Sequence, residues 1–292
     1  EPDLVSLKNR IDELLRSSDN RILVLIDDID RLAPDEISDL FRTIKATGNF
    51  PNVIYLLAFD IGVVVKSLEQ TFIPDAHSYL EKIVQVPFAL PLPDKAALRK
   101  LLFARLSEIT AGTDKANFDA VYWANLYYSG IDHFIVTPRD VVRLINVLRA
   151  TYPNVKDEVN PVDFIAIEAI RVFIPKLYDE LRRNQDILAG ASTDSGREST
   201  AEHRKRIFET WLEFVSGEDR DSLKELLSLL FPQFSSAFGG PRYGYEWLLS
   251  WRKQLRACSP DKFPIYFRFA LGSDSISKTE IIYRASSPPF EC

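Results

Sequence analysis

Three aspartates crowd one short stretch, RILVLIDDIDRL, Arg21 to Leu32. Asp27 and Asp28 directly follow an apolar run, and Asp30 stands one position beyond them. Neighbouring carboxylates repel, and a buried carboxylate without a partner is costly, so the cluster asks for a cation. In an open parallel sheet, ligands gather beyond the C-terminal ends of the strands. Side chains alternate along a strand, so Asp27 and Asp28 diverge. One can face a bound Mg²⁺ while the other orients an attacking water, the division of labour that phosphoryl transfer requires. The plainer reading is that these acids cap the next helix and solubilise a strand end.

Other candidates lie further along. Asp60 closes VIYLLAF much as Asp28 closes ILVLI. It suits either a polar group near a terminal phosphate or a helix N-cap. Lys82 precedes an extended run, and Arg139 falls in the first turn of a capped helix, where a guanidinium can reach a phosphate. The plainer reading of Arg139 is a salt bridge to Asp140 or Asp132. No GxxxxGK[ST] loop occurs, and GASTDSGR (Gly190–Arg197) has the wrong spacing, no lysine and no preceding strand. His77, His133 and His203 are scattered and make no metal pattern. The four tryptophans and the Phe/Tyr-rich second half read as core rather than as a base-stacking platform.

These groups need elements to position them. Leu4, Leu7, Ile11, Leu14 and Leu15 recur at helical spacing. RILVLI and NFPNVIYLLAFD are continuous apolar runs that suit strands covered on both faces of a parallel sheet. IVQVPFALPLP, after Tyr79–Lys82, reads as a third extended run closed by prolines. Pro34 with Asp35 and Glu36 marks a helix start, with Ile37, Leu40, Phe41 and Ile44 as its apolar face. Further helices are expected over Val63–Gln70 and over Lys95–Ile109 behind Asp94. Strand and helix alternate to about residue 110, which predicts α/β with a parallel sheet. Beyond that, helices dominate. Thr137 and Asp140 form a capping box with Pro138 at the first position, and Asn160, Pro161 and Asp163 repeat the device. Pro175 should break the second of these helices. Leu188–Thr200 is small and polar and reads as a mobile loop. Helices are also expected around Ala201–Val215, Asp221–Leu230 and Glu246–Ala257. The expected divisions are an α/β half over 1–111, a helical lid over 112–158 and a mostly helical region over 159–292.

Composition sets limits. Across 292 residues, 46% are hydrophobic, enough for a full core. The net charge of −6 argues against broad nucleic-acid binding. Cys258 and Cys292 make neither a disulfide framework nor a CxxC zinc pattern, which fits a reducing cytoplasmic setting. No apolar run approaches a membrane span. A chain that starts at Glu1 and contains no methionine reads as an excised or processed piece.

Taken in order, ILVLIDDIDRL, FPNVIYLLAFD, YLEKIVQVPFALPLP, TPRDVVRLINVLRA, EVNPVDFIAIEAIRVFIPKLYDEL and YFRFALG resemble the KAP family of P-loop NTPases, from about Arg21 to about Glu280. The resemblance implies a partial P-loop NTPase core of α/β type, with an all-helical lid and C-terminal helical region. It implies an ATPase that uses ATP and Mg²⁺ to drive a conformational switch or an assembly. ILVLIDD then matches the Walker B strand: Asp27 helps hold Mg²⁺, directly or through water, and Asp28 activates the hydrolytic water. Asp60 matches the sensor-like strand end. By looser analogy Arg139 matches a lid arginine, and Lys82 lies near where a neighbouring subunit's nucleotide is touched. Bacterial defence against phage or plasmids is an implied setting. Self-association or a partner protein is expected, with membrane contact only through segments outside this sequence.

The sequence departs from that family in lacking Walker A. Either the chain begins after that loop or the loop comes from elsewhere, and alone it is not expected to bind ATP tightly. Two other readings stand beside the ATPase. One is a catalytically degenerate NTPase acting as a scaffold or nucleotide-gated interaction module. The other is a phosphatase of the haloacid-dehalogenase type, which uses a DxD pair. Here, however, Arg31 and Leu32 replace its hydroxyl-bearing continuation.

Overall fold

The computed structural model describes residues 4–268 apart from 49, 72, 92, 114–117, 192–197 and 218. The chain divides into two compact units, Glu1–Leu90 and Pro91–Cys292. It is mostly helical, with a small two-stranded parallel sheet in the first unit.

In the first unit, helix α1 (Leu4–Ser17) leads into strand β1 (Ile22–Ile26). Helix α2 (Pro34–Thr47) then carries the chain back to strand β2 (Val53–Leu57). The strands pair in parallel from Ile22 opposite Val53 to Ile26 opposite Leu57, and parallel strands need such a helical crossover. Pro34 opens α2 as its fixed φ allows, and the Ala33 N–H donates to Glu36 Oε2 at 2.9 Å, satisfying a free end group. Helices α3 (Ile61–Gln70) and α4 (Ala76–Glu81) follow. Residues Ile29, Ile37, Phe41, Val64, Leu68 and Leu80 form the core beneath the sheet, with Ile26 and Leu57 packed on them. Helix α4 has a signal the sequence reading passed over: Asp75 caps it, accepting from the Ser78 N–H at 3.0 Å. Bonds from Ser78 hold the Asp75 carboxyl below its ordinary value.

Two expectations are corrected here. The extended run after Lys82 makes no strand among the described residues. The Ile83 and Val84 N–H groups turn back to the Leu80 carbonyl. Pro87, Pro91 and Pro93 then remove ladder donors at close intervals. The strands are also not covered on both faces. Leu23, Leu25, Ile54 and Leu56, which share one face by alternation, are 62, 64, 51 and 50% exposed. The opposite face rests on α2 and α3, and two strands with two helices cover one side only.

The second unit is helical throughout its described residues. Helices α5 (Lys95–Thr110) and α6 (Ala120–Leu126) come first. A π-helical turn (Tyr127–Ile131) and the short α7 (Asp132–Phe134) then lead to α8 (Pro138–Thr151). Helix α9 (Pro161–Phe173) is buried from Pro161 to Ile170, as befits a helix with apolar residues on all its faces and few charges. Pro175 breaks the chain there as expected, and α10 (Pro175–Arg183) begins at it. Helices α11 (Gln185–Leu188), α12 (Glu198–Leu212), α13 (Asp219–Leu230), α14 (Pro232–Ala237) and α15 (Glu246–Lys253) complete the unit. Residues 192–197 of the expected mobile loop lie outside the described residues, while Leu188 ends α11 and α12 begins at Glu198, inside the stretch expected as loop. Asp94 precedes α5 but caps it only through its carbonyl, which accepts from the Leu98 N–H.

Helix α9 buries two acids, Asp163 and Glu168. Glu168 Oε2 lies 2.7 Å from Arg171 Nη2, without the alignment of a hydrogen bond. Burial pushes the Glu168 carboxyl up to about 7, against the pull of Arg171. Between its ordinary value of 4.5 and about 7, the folded chain therefore keeps a proton that the unfolded chain has released. Stability from this group is present at low pH and is lost as pH rises toward 7. Glu168→Gln removes that slope. Its unfolding free energy relative to wild type is expected to rise by about 3 kcal/mol between about pH 5 and 8. A difference that stays constant across a pH series of urea melts contradicts this.

Candidate functional site

Parallel register brings the acids of the first unit together. Ile26 sits opposite Leu57, and the Ala58 N–H donates to the Ile26 carbonyl at 2.9 Å. Asp27 and Asp28 thus leave β1 at the same end of the sheet at which Asp60 leaves β2. Asp28 has φ 56° and ψ 31°, the left-handed region that a side chain rarely enters and that aspartate tolerates better than most. The turn is fixed locally. Asp27 Oδ1 accepts from the Asp28 N–H at 2.8 Å, and Ile29, fully buried, anchors the 3₁₀ turn Ile29–Arg31 that follows. Asp30 lies in that turn and is half-buried.

A cation is already present beside the cluster: Arg31 Nη2 lies 3.1 Å from Asp28 Oδ1. Both side chains are more than half exposed, so water screens the pair and it contributes little to stability. A ligand can displace it at small cost. Asp60 Oδ1 accepts from the Val63 N–H at 3.1 Å and caps α3, leaving Oδ2 without a hydrogen bond among the described residues. Lys82 is exposed at the C-cap of α4.

No group of three or more metal-ligating side chains exists among the described residues. A nucleotide-borne Mg²⁺ takes one or two carboxylates and completes its shell with phosphate oxygens and water. Asp27 is exposed and has Oδ2 without a hydrogen bond among the described residues, so it can supply one such contact.

Arg139 belongs to the second unit, at the second position of α8. The capping box is formed there: Asp140 N–H donates to Thr137 Oγ1, while Asp140 Oδ2 accepts from the Thr137 N–H at 2.8 Å. The two acids that offered Arg139 an ordinary salt bridge are engaged elsewhere. Asp140 serves this cap. Asp132 takes a two-pronged bond from Arg99, Nε to Oδ1 at 2.9 Å and Nη2 to Oδ2 at 2.7 Å, and a third from the Tyr127 hydroxyl at 2.9 Å. Arg139 is exposed and has neither hydrogen bond nor ion pair among the described residues.

Sequence reasoning missed Lys95, Arg99 and Tyr127. Lys95 Nζ donates to the carbonyls of Asp132 and Ile135 at 2.6 and 2.8 Å. The Arg99 bonds hold the Asp132 carboxyl below its ordinary value, and burial raises the Tyr127 phenol. The available signal was the i, i+4 spacing of Lys95 and Arg99, which sets both on one face of α5.

A model of the KAP family P-loop domain matches residues 1–155, more than half of the chain. The chain belongs to the KAP family. The matched KAP segment contains both strands, all three strand-end aspartates, Lys82 and the Arg139 turn, and it stops before α9. One relative is the Phage T7 exclusion protein of Escherichia coli (strain K12). It is 29% identical over 181 aligned positions, and the match covers 59% of this chain and 24% of the relative. This KAP chain thus spans about a quarter of that relative's length. No solved structure matches it.

Proposed function

We propose that this chain carries the Walker B strand, sensor strand and lid arginine of a KAP-family ATPase, and that the enzyme hydrolyses ATP with Mg²⁺. The observation that carries the reading is the convergence of Asp27, Asp28 and Asp60 at one end of a parallel sheet, where such sheets bind ligands. Asp27 gives the metal one carboxylate contact. Bound Mg²⁺ supplies neutralising charge on the phosphates. Asp28 accepts a proton from water as its oxygen attacks the terminal phosphorus. The bond from that phosphorus to the bridging oxygen breaks, and ADP leaves with the electron pair. Asp60 keeps one carboxylate oxygen available near the terminal phosphate. Arg139, exposed and unpaired among the described residues, is the proposed lid arginine, a guanidinium able to bond a phosphate. Lys82 is proposed to reach a nucleotide held by a neighbouring copy.

The phosphate-cradling loop is not in these residues. The bare face made by Leu23, Leu25, Ile54 and Leu56 supports its arrival on a further strand and helix, since parallel sheets are covered on both faces. The relative's name supports a place for this activity in excluding phage. No helix among the described residues is long and apolar enough to cross a membrane.

Phosphate release from ATP, measured on the protein encoded by its intact gene, is expected to require Mg²⁺. Nucleotide binding without any release supports the scaffold reading instead. Release that needs no nucleoside triphosphate supports a phosphatase.

A further inference from the structure

Within the helical unit, α9 buries one acid that nothing hydrogen-bonds. Glu168 is 2% exposed, and its Oε2 has no hydrogen-bond partner among the described residues. The charge beside it is Arg171, one turn on, with Nη2 2.7 Å from that oxygen. Arg171 also reaches the next helix: its guanidinium lies 6.0 Å from the centre of the Tyr178 ring, on α10. The Tyr178 ring packs in turn on Phe267, with centres 5.3 Å apart. One arginine thus lies between an acid of α9 and the ring that seats α10.

The two helices meet at an elbow. Ile174 has φ −134° and ψ 64°, and Pro175 has no N–H with which to continue the α9 ladder. Beyond the elbow, α10 is held by Leu177, Tyr178 and Leu181, while Lys176, Asp179, Arg182 and Arg183 are exposed. A short helix seated on one face opens more readily than the buried helix before it. Charges on the other elements around α9 are engaged elsewhere. On α8, Arg143 donates to the Val172 carbonyl at 3.0 Å and Asp140 serves its cap. Tyr122 of α6 bonds Asp163, and Tyr127 of the π turn bonds Asp132. On α10, Glu180 lies 3.7 Å from Arg183, and the charge of Arg182 acts on Tyr178. Arg171 is the charge that acts on Glu168.

We propose that Glu168, Arg171 and Tyr178 form a proton-sensitive latch on the α9–α10 elbow: neutral Glu168 leaves α10 seated, and ionised Glu168 favours release of α10, which lets water reach the carboxylate. The driving force is desolvation. A carboxylate without hydrogen bonds is costly in a core, and Arg171 offsets only part of that cost. With α10 released, the proton leaves near the ordinary value of 4.5, whereas the seated form keeps it up to about 7. Opening therefore becomes about tenfold easier per pH unit between those values and levels off above them.

Native-state hydrogen exchange tests this, on the protein encoded by its intact gene, with rates corrected for the intrinsic effect of pH. In wild type, protection of the amides of Leu177–Arg183 is expected to fall about 10²-fold between about pH 5 and 8. Below about 1 M urea that protection should barely respond to urea, the mark of a small local opening, whereas amides of α13 should show the steep slope of global unfolding. Glu168→Gln stays neutral, so its α10 protection should be constant across the pH series. Arg171→Met keeps the stem and removes the counter-charge, so the fall should continue to a higher pH than in wild type. The latch is overturned by α10 protection that ignores pH in wild type, by a fall that persists in Glu168→Gln, or by a urea slope for α10 equal to that of α13. An Arg171→Met protein that levels off at the wild-type pH overturns the part given to Arg171.

Discussion

Asp163→Ala is expected to cost the helical unit about 3–5 kcal/mol, the scale for breaking a buried pair by removing one member. Asp163 is fully buried on α9. Its Oδ2 accepts from Arg256 Nε at 2.8 Å and from the Ala257 N–H at 2.7 Å, and its Oδ1 accepts from the Tyr122 hydroxyl at 2.6 Å. Arg256 is spread over the same partners. Its Nη2 donates to the Tyr122 hydroxyl at 2.7 Å and to the Leu229 carbonyl at 3.0 Å, and its guanidinium lies 4.2 Å from the Tyr122 ring centre. One carboxylate therefore ties α6, α9, the end of α13 and the chain after α15. Alanine leaves the guanidinium in the core without its counter-charge and the Ala257 N–H without an acceptor. Tyr122→Phe keeps the ion pair and loses one hydroxyl, so it should cost only about 1 kcal/mol. Equilibrium unfolding in urea measures both. An Asp163→Ala protein that unfolds within about 0.5 kcal/mol of wild type contradicts the account of this network.

Local chemistry was legible in the sequence. The starts of α2, α8 and α9 follow from proline at the first helical position, with caps at Thr137 and Asn160, and the break at Pro175 follows from its ring. Each needs only residues within a few positions. Strands β1 and β2 were legible as apolar runs bounded by turn residues, but their cover was not. A continuous apolar run states that both faces want burial, whereas Leu23 and Leu56 are half or more exposed among the described residues. The run after Lys82 has the composition of a strand, yet its prolines remove the donors that a ladder needs.

The candidate site divides the same way. Asp27, Asp28 and Asp60 were singled out because acids that end apolar runs leave a mark within a few positions. The cation expected for them was sought from outside, while Arg31, three positions on, was passed over. Arg99 with Asp132, and Asp163 with Arg256, are separated by 33 and 93 residues. Nothing in the local sequence announces such pairs, since a lone arginine on an amphipathic helix reads as surface. For Arg139 the sequence left a salt bridge and a functional role open. The structure gives Asp132 and Asp140 other work, which removes the ordinary partners.

Asp28 tests the central claim most directly. Replacing it with asparagine keeps the size and polarity of the side chain, and asparagine accepts the left-handed backbone at φ 56° as readily as aspartate does. The exposed pair with Arg31 is lost at little cost, so Asp28→Asn should fold like wild type. What it loses is the proposed base: an amide cannot take the proton of an attacking water. The measurement is steady-state phosphate release from Mg²⁺-ATP by the protein encoded by its intact gene, wild type and Asp28→Asn, with nucleotide binding followed in parallel. The account predicts retained binding and turnover lowered about 10²–10⁴-fold, the range for a lost general base. Turnover at the wild-type rate in Asp28→Asn would contradict it.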